Sequence, residues 1–154
     1  MTLLIMLVLL VLPYVLLLAV PGLRARPALR GCIGIALLFG FTGVGHFLVP
    51  AAMAGMIPPF VPWRVEIIYV TGVVEIVAGF LTLPRRTRRW AGWFLIVMLA
   101  GLLPFNIWSA VERVPFGGHA QGPVYLWVRV PVQVLIGAWV WWFAARGRGG
   151  RAER

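Results

Sequence analysis

Apolar residues along this chain come in runs long enough to cross a lipid bilayer, separated by arginine-rich or proline- and glycine-rich stretches. A crossing needs about 20 mostly apolar residues for a hydrocarbon core about 30 Å thick. Five segments qualify: 3–20, 31–49, 65–83, 90–110 and 125–145. The third carries Glu66 and Glu75, and the fifth carries Arg129 and Gln133. Each is expected to be helical, because inside lipid every backbone polar group must be satisfied within its own segment. The pattern therefore predicts an all-α membrane protein with a four-helix transmembrane core and one extra N-terminal transmembrane helix.

The connections set the orientation. Arg24, Arg26 and Arg30 follow the first run, Arg85, Arg86, Arg88 and Arg89 the third, and Arg146, Arg148, Arg151 and Arg154 the fifth. Five alternating spans put these eleven of the fourteen arginines on one side, whereas four would split them across the membrane. The positive-inside rule makes that side cytoplasmic. The expectation is a multi-pass protein of the cell membrane, N-terminus outside and C-terminus inside. No basic stretch precedes the first run and its charges follow it, which suits an anchor better than a cleaved signal. Residues 1–30 are then an N-terminal anchor with a basic loop, 31–145 a four-span domain, and 146–154 a basic tail. Of the two outer connections, 51–63 holds Pro58, Pro59 and Pro62 among Met53, Met56, Phe60 and Trp63. It reads as a stiff segment along the interface, whose first half could form a turn of helix. The other, 111–124, is rich in glycine and reads as a mobile outer loop.

Composition narrows the functional classes. Of 154 residues, 62% are hydrophobic, more than a soluble domain of this size can hide. The net charge of +10 comes from arginines flanking the apolar runs, so the expected partner is the bilayer and not nucleic acid. Aspartate is absent, and the acids are Glu66, Glu75, Glu112 and Glu153. That weighs against a carboxylate-rich metal site, and no metal is expected. Cys32 is the sole cysteine, so there is no intrachain disulfide or CxxC motif. No nucleophile–base arrangement, phosphate loop or metal spacing is present. At most the chain is a subunit of a membrane oxidoreductase complex.

Polar residues within the apolar runs are the candidate chemistry, since charge is costly in hydrocarbon and such groups usually face the bundle interior. His46, Glu66, Asn106, Arg129 and Gln133 all fall in the outer half of the bilayer by helix rise, and Glu75 lies deeper, near the midplane. Pro104 and Pro131 each free a backbone carbonyl at a similar depth. Broken helices are tolerated where they line a cavity or are buried in protein. An outward-facing polar pocket between the second and fifth spans is expected, with Arg129 paired to Glu75 or Glu66. Thr71, Glu75 and Thr82 form one stripe beside Gly72 and Gly79, the mark of a helix-packing face.

Several motifs in this order carry a family resemblance. They are Gly45-His46-Phe47 with Pro50, Pro58-Pro59-Phe60-Val61-Pro62-Trp63, Tyr69 to Ile76 with Glu75, Leu83 to Arg89, Pro104-Phe105-Asn106-Ile107, and Leu126 to Gln133 with Arg129. From residue 31 to about 145 the chain resembles the DoxX-like membrane proteins. Thr71 stands where that family more often has serine, and Phe105 where it commonly has alanine. The resemblance implies a four-helix membrane core, the positions His46, Glu75, Asn106, Arg129 and Gln133, and an association with quinone-linked redox complexes.

The candidate roles stay open on sequence. His46 could be a quinone or proton ligand, or a cap on a helix carbonyl. Glu75 could carry protons or serve as a structural partner. Arg129 could grip an anionic ligand or a quinone carbonyl, or fix helix register through an ion pair. Quinone is the cofactor the pocket would suit. Haem ligation by His46 and His119 is disfavoured, since His119 sits in a glycine-rich loop. The competing functions are a quinone-associated redox subunit, a scaffold that binds another membrane protein, and a small solute or proton transporter acting as a homo-oligomer.

Overall fold

The structure, a computed structural model, describes residues 2–146. Most of the basic tail, with Arg148, Arg151, Glu153 and Arg154, lies outside the described residues. The described residues form helices and connecting turns, with no strand among them. They are α1 Thr2–Leu16, continued by a 3-10 turn Leu17–Ala19, α2 Pro21–Arg24, α3 Pro27–Leu48, α4 Pro50–Ala54, α5 Arg64–Leu81, α6 Arg85–Val111 and α7 Leu126–Val140. A 3-10 stretch His119–Tyr125 leads into α7, and a π-helical turn Trp141–Ala145 prolongs it. Pro21, Pro27 and Pro50 each open their helix, where a missing N–H leaves nothing unsatisfied.

Four stretches are long and apolar enough to cross a membrane: Thr2–Ala19, Pro27–Leu48, Arg85–Val111 and His119–Ala145. α5 is not among them, although at 18 residues it is about 27 Å long. Arg64, Glu66 and Glu75 lower its apolar character. Val70, Val97 and Val134, more than 60% exposed on α5, α6 and α7, belong to outward faces that suit lipid.

α3 and α5 pack antiparallel in a close crossing, on the face that the small-residue stripe predicts. A Cβ added to Gly72 would lie 2.7 Å from His46 Cβ and 3.0 Å from the Gly43 carbonyl oxygen. Only glycine allows that approach. α1 crosses α3 at Gly34, where a Cβ would run into the Leu10 carbonyl. Leu10 is fully buried and joins Ile35, Leu38, Leu95, Ile136 and Val140 in one apolar core. The N-terminal helix thus belongs to that core.

One end of the bundle collects the arginines. Thr82 Oγ1 donates to the Cys32 carbonyl at 3.5 Å and Trp139 Nε1 to the Gly31 carbonyl at 3.2 Å. These bonds gather the start of α3, the end of α5 and the end of α7. Arg30 folds over Tyr14, its guanidinium carbon 4.5 Å from the ring centroid. α6 begins at Arg85, earlier than the expected residue 90, so the second basic cluster rides on its first turns. Cations are unfavourable at a helix N-terminus. Arg88 compensates by bending back: Nε donates to the Thr82 carbonyl at 3.0 Å and Nη2 to that of Leu83 at 2.9 Å. It thereby satisfies carbonyls left bare where α5 ends. Trp141 and Trp142 face outward with Arg146 over them, but Trp139 turns inward against Tyr14 and Phe143.

The opposite end is more folded than a pair of loops. α4 forms the expected turn of helix within 51–63. The glycine-rich connection folds back inward, burying His119 and Tyr125 in edge-to-face contact, ring centroids 4.9 Å apart. Gly122 makes the reversal at φ 77, ψ −159, a conformation essentially restricted to glycine.

A candidate ligand cavity at the end of the bundle away from the arginines

Thr42 and His46 lie four residues apart on α3, and Thr71 and Glu75 four apart on α5, so each pair shares one helix face. The antiparallel crossing sets the two pairs opposite each other. Thr42 Oγ1 donates to Glu75 Oε2 at 2.8 Å, and His46 Nε2 lies 3.5 Å from Glu75 Oε1. His46 Nδ1 lies 2.9 Å from the Ile68 carbonyl oxygen and 3.1 Å from Thr71 Oγ1. A carbonyl only accepts, so Nδ1 carries the proton. Both ring nitrogens of His46 are therefore engaged, and Glu75, 5% exposed, is held on both oxygens.

A second polar group stands on α6 and α7. Asn106 Nδ2 donates to the Leu102 carbonyl at 2.9 Å, which turns Oδ1 towards α7. There it accepts from Arg129 Nε at 3.4 Å. Arg129 Nη1 reaches Met6 Sδ on α1 at 3.8 Å. Gln133, one turn beyond Arg129, donates to the Leu99 carbonyl on α6, and its own Oε1 is buried without a partner.

Between the two groups lies a cavity of about 470 Å³, within the usual range for small-molecule sites. His46, Glu75, Asn106, Arg129 and Gln133 all line it, as the depth argument anticipates, with the apolar side chains Met6, Leu38, Phe39, Met53, Met56 and Ile57. The exposed residues Phe41, Val44 and Leu48 are also in its wall, so it reaches the outer apolar surface beside α3.

Three expectations need correction. The acid–base pair is Glu75 with His46; among the described residues no carboxylate lies within 4 Å of Arg129. The α3–α5 crossing, which depth alone does not reveal, directs Glu75 to α3. Glu66 is not in the site: it is exposed on the outer turn of α5, beside a shallow groove with Arg64, Trp63 and Pro59. The first helix also contributes Thr2, Leu3 and Met6, so the cavity is not confined to the second to fifth spans. Sequence reasoning missed Thr42, Met6, His119 and Tyr125 in the wall. The i,i+4 pairing of Thr42 with His46 was a usable signal; Met6 gave none.

No group of three or more potential metal-ligating side chains exists among the described residues. His46 has no ring nitrogen to spare. His119 Nδ1 bonds the Phe116 carbonyl at 2.8 Å, leaving Nε2 buried and unpartnered.

A family model described as a domain of unknown function (DUF8561) matches residues 35–144, well over half of the chain. The chain belongs to this family. No curated protein and no solved structure matches it. The DUF8561 region contains both polar groups, from Thr42 to Gln133, and leaves Met6 and the rest of α1 outside.

Proposed function

We propose that this DUF8561 protein is a five-span protein of the cell membrane that holds a lipid-soluble molecule with an oxygen-bearing head between its helices, acting as the binding subunit of a quinone-linked redox complex. The observation that carries the reading is Arg129. Its guanidinium faces a largely apolar cavity, with one amide and one thioether as side-chain partners and no carboxylate within 4 Å. Desolvating an unpaired cation costs several kcal/mol, and a ligand oxygen would offset that. The apolar wall would take a ring or chain, and the opening beside α3 would admit it from lipid.

Counting α5 as a span is consistent with the packing. Glu75 is screened from lipid by α3, and Arg64 and Glu66 sit in its first turn, at interface depth. Five spans put the arginine-rich end in the cytoplasm and the cavity in the outer leaflet. The DoxX-like resemblance makes quinone the head group to test first. A quinone would be bound here and exchange electrons with a partner protein, because the chain has no ligand set for a metal or Fe–S centre among the described residues. The test is lipid extraction and mass spectrometry of protein purified in mild detergent, followed by titration with short-chain ubiquinone and menaquinone analogues. Ligand at 100 times its Kd raises stability by about 2.7 kcal/mol. The expected result is co-purified quinone and a saturable thermal shift that Arg129→Met abolishes. Absence of both rejects quinone as the ligand.

A further inference from the structure

Charge in the cavity selects among ligand heads. The inference rests on the cavity being a binding site, as proposed above. Its charged or titratable wall residues are Glu75 and His46 from α3 and α5, His119 and Tyr125 from the folded-back connection, and Arg129 from α7. α6 contributes Asn106, which is neutral, and α1 contributes no ionisable side chain.

His46 and Glu75 face each other through Nε2 and Oε1 at 3.5 Å, while Nδ1 keeps its own proton on the Ile68 carbonyl. Both Glu75 oxygens are taken up by α3, one by Thr42 and one by His46. His119 Nδ1 donates to the Phe116 carbonyl, and its Nε2 is buried without a partner. Tyr125 is a buried phenol.

Arg129 is the one arginine in this wall, and among the described residues no carboxylate lies within 4 Å of it. Its Nε and Nη1 are lightly held, by contacts of 3.4 and 3.8 Å. We infer that, besides the neutral head proposed above, the cavity takes an amphiphile with a monoanionic oxyacid head, a carboxylate or phosphate oxygen on Arg129 and a single apolar chain along Met6, Leu38 and Ile57. About 470 Å³ accommodates one chain of modest length. Arginine's planar fork matches such a head better than a lysine point charge would.

The test uses the full chain in nanodiscs of zwitterionic lipid, titrated with matched ten-carbon probes: decanoate, decyl phosphate, decanol and a decyl-quinone. Native mass spectrometry and thermal shift give the affinities. At least one anion should bind more than tenfold tighter than decanol, and Arg129→Gln should remove that advantage. If only decanoate gains, the natural head is a fatty carboxylate; if only decyl phosphate gains, it comes from a lysophospholipid-type phosphate. Either result supports the inference. Decanol binding as tightly as both anions would overturn it while leaving the cavity as a binding site. No probe binding at all would remove the cavity reading as well. Should Arg129→Gln fail to fold, the wild-type comparison of decanoate with decanol still decides.

Discussion

Removing Glu75 should cost far more when its shape goes than when only its charge goes. Glu75→Ala deletes the acceptor of the 2.8 Å bond from Thr42 and leaves His46 Nε2 without a partner. Thr42 keeps a fallback on the Leu38 carbonyl at 3.2 Å. In a water-soluble core, breaking a buried pair costs about 3–5 kcal/mol. In a membrane bundle the unfolded reference also finds polar partners, and single contacts measure about 0.6 kcal/mol with a maximum near 1.7. Two contacts, one of them long at 3.5 Å, therefore put Glu75→Ala at about 2 kcal/mol. Glu75→Gln keeps an oxygen for Thr42 and offers an amide N–H to His46 Nε2, so its loss should stay below about 1 kcal/mol. A double-mutant cycle of His46→Ala with Glu75→Ala, followed by reversible unfolding in mixed micelles, should give a coupling energy of about 1 kcal/mol. Additive effects, within about 0.5 kcal/mol, would refute the α3–α5 register on which the site depends.

Other substitutions probe the scaffold, each read as a shift in unfolding free energy in detergent. Gly72→Ala places a methyl 2.7 Å from His46 Cβ and should destabilise by about 1–3 kcal/mol; an unchanged midpoint would mean the helices cross elsewhere. Gly122→Ala forces a side chain into a glycine-only conformation and should cost about 1–3 kcal/mol, with loss of protection at His119 in hydrogen exchange. Arg88→Ala strips two carbonyls at the end of α5 of their donor and should lose about 1–3 kcal/mol, whereas Arg89→Ala should stay within about 0.5 kcal/mol. Equal effects at the two arginines would show that topology, not capping, governs the cluster.

Much of this fold is legible in the sequence because lipid imposes a simple rule: apolar runs of spanning length become helices, and arginines mark one end. The glycines at 72 and 79 also announced the packing face of α5. Depth alone put His46, Asn106, Arg129 and Gln133 at a similar level, since rise per residue needs no knowledge of neighbours, and all four line the cavity. Rotation was the missing coordinate. Glu66 and Arg129 match in depth, yet Glu66 points away from the bundle. Glu75 meets His46 because glycines let α3 and α5 cross where they do. The fold-back of 119–125 escaped notice because glycine-rich composition reads as a loop, although His119 and Tyr125 are six residues apart and meet through the turn at Gly122. Met6 is one apolar residue in a uniformly apolar helix, and nothing local distinguishes it.

The account stands on Arg129 facing a mostly apolar cavity that opens beside α3 and awaiting an oxygen from a ligand. An experimental structure in native-lipid nanodiscs tests this most directly. It should show elongated density between α1, α3, α6 and α7 that ends within hydrogen-bonding distance of the Arg129 guanidinium. Arg129 turned outward to lipid headgroups, with side chains filling the space between His46 and Asn106, would contradict it.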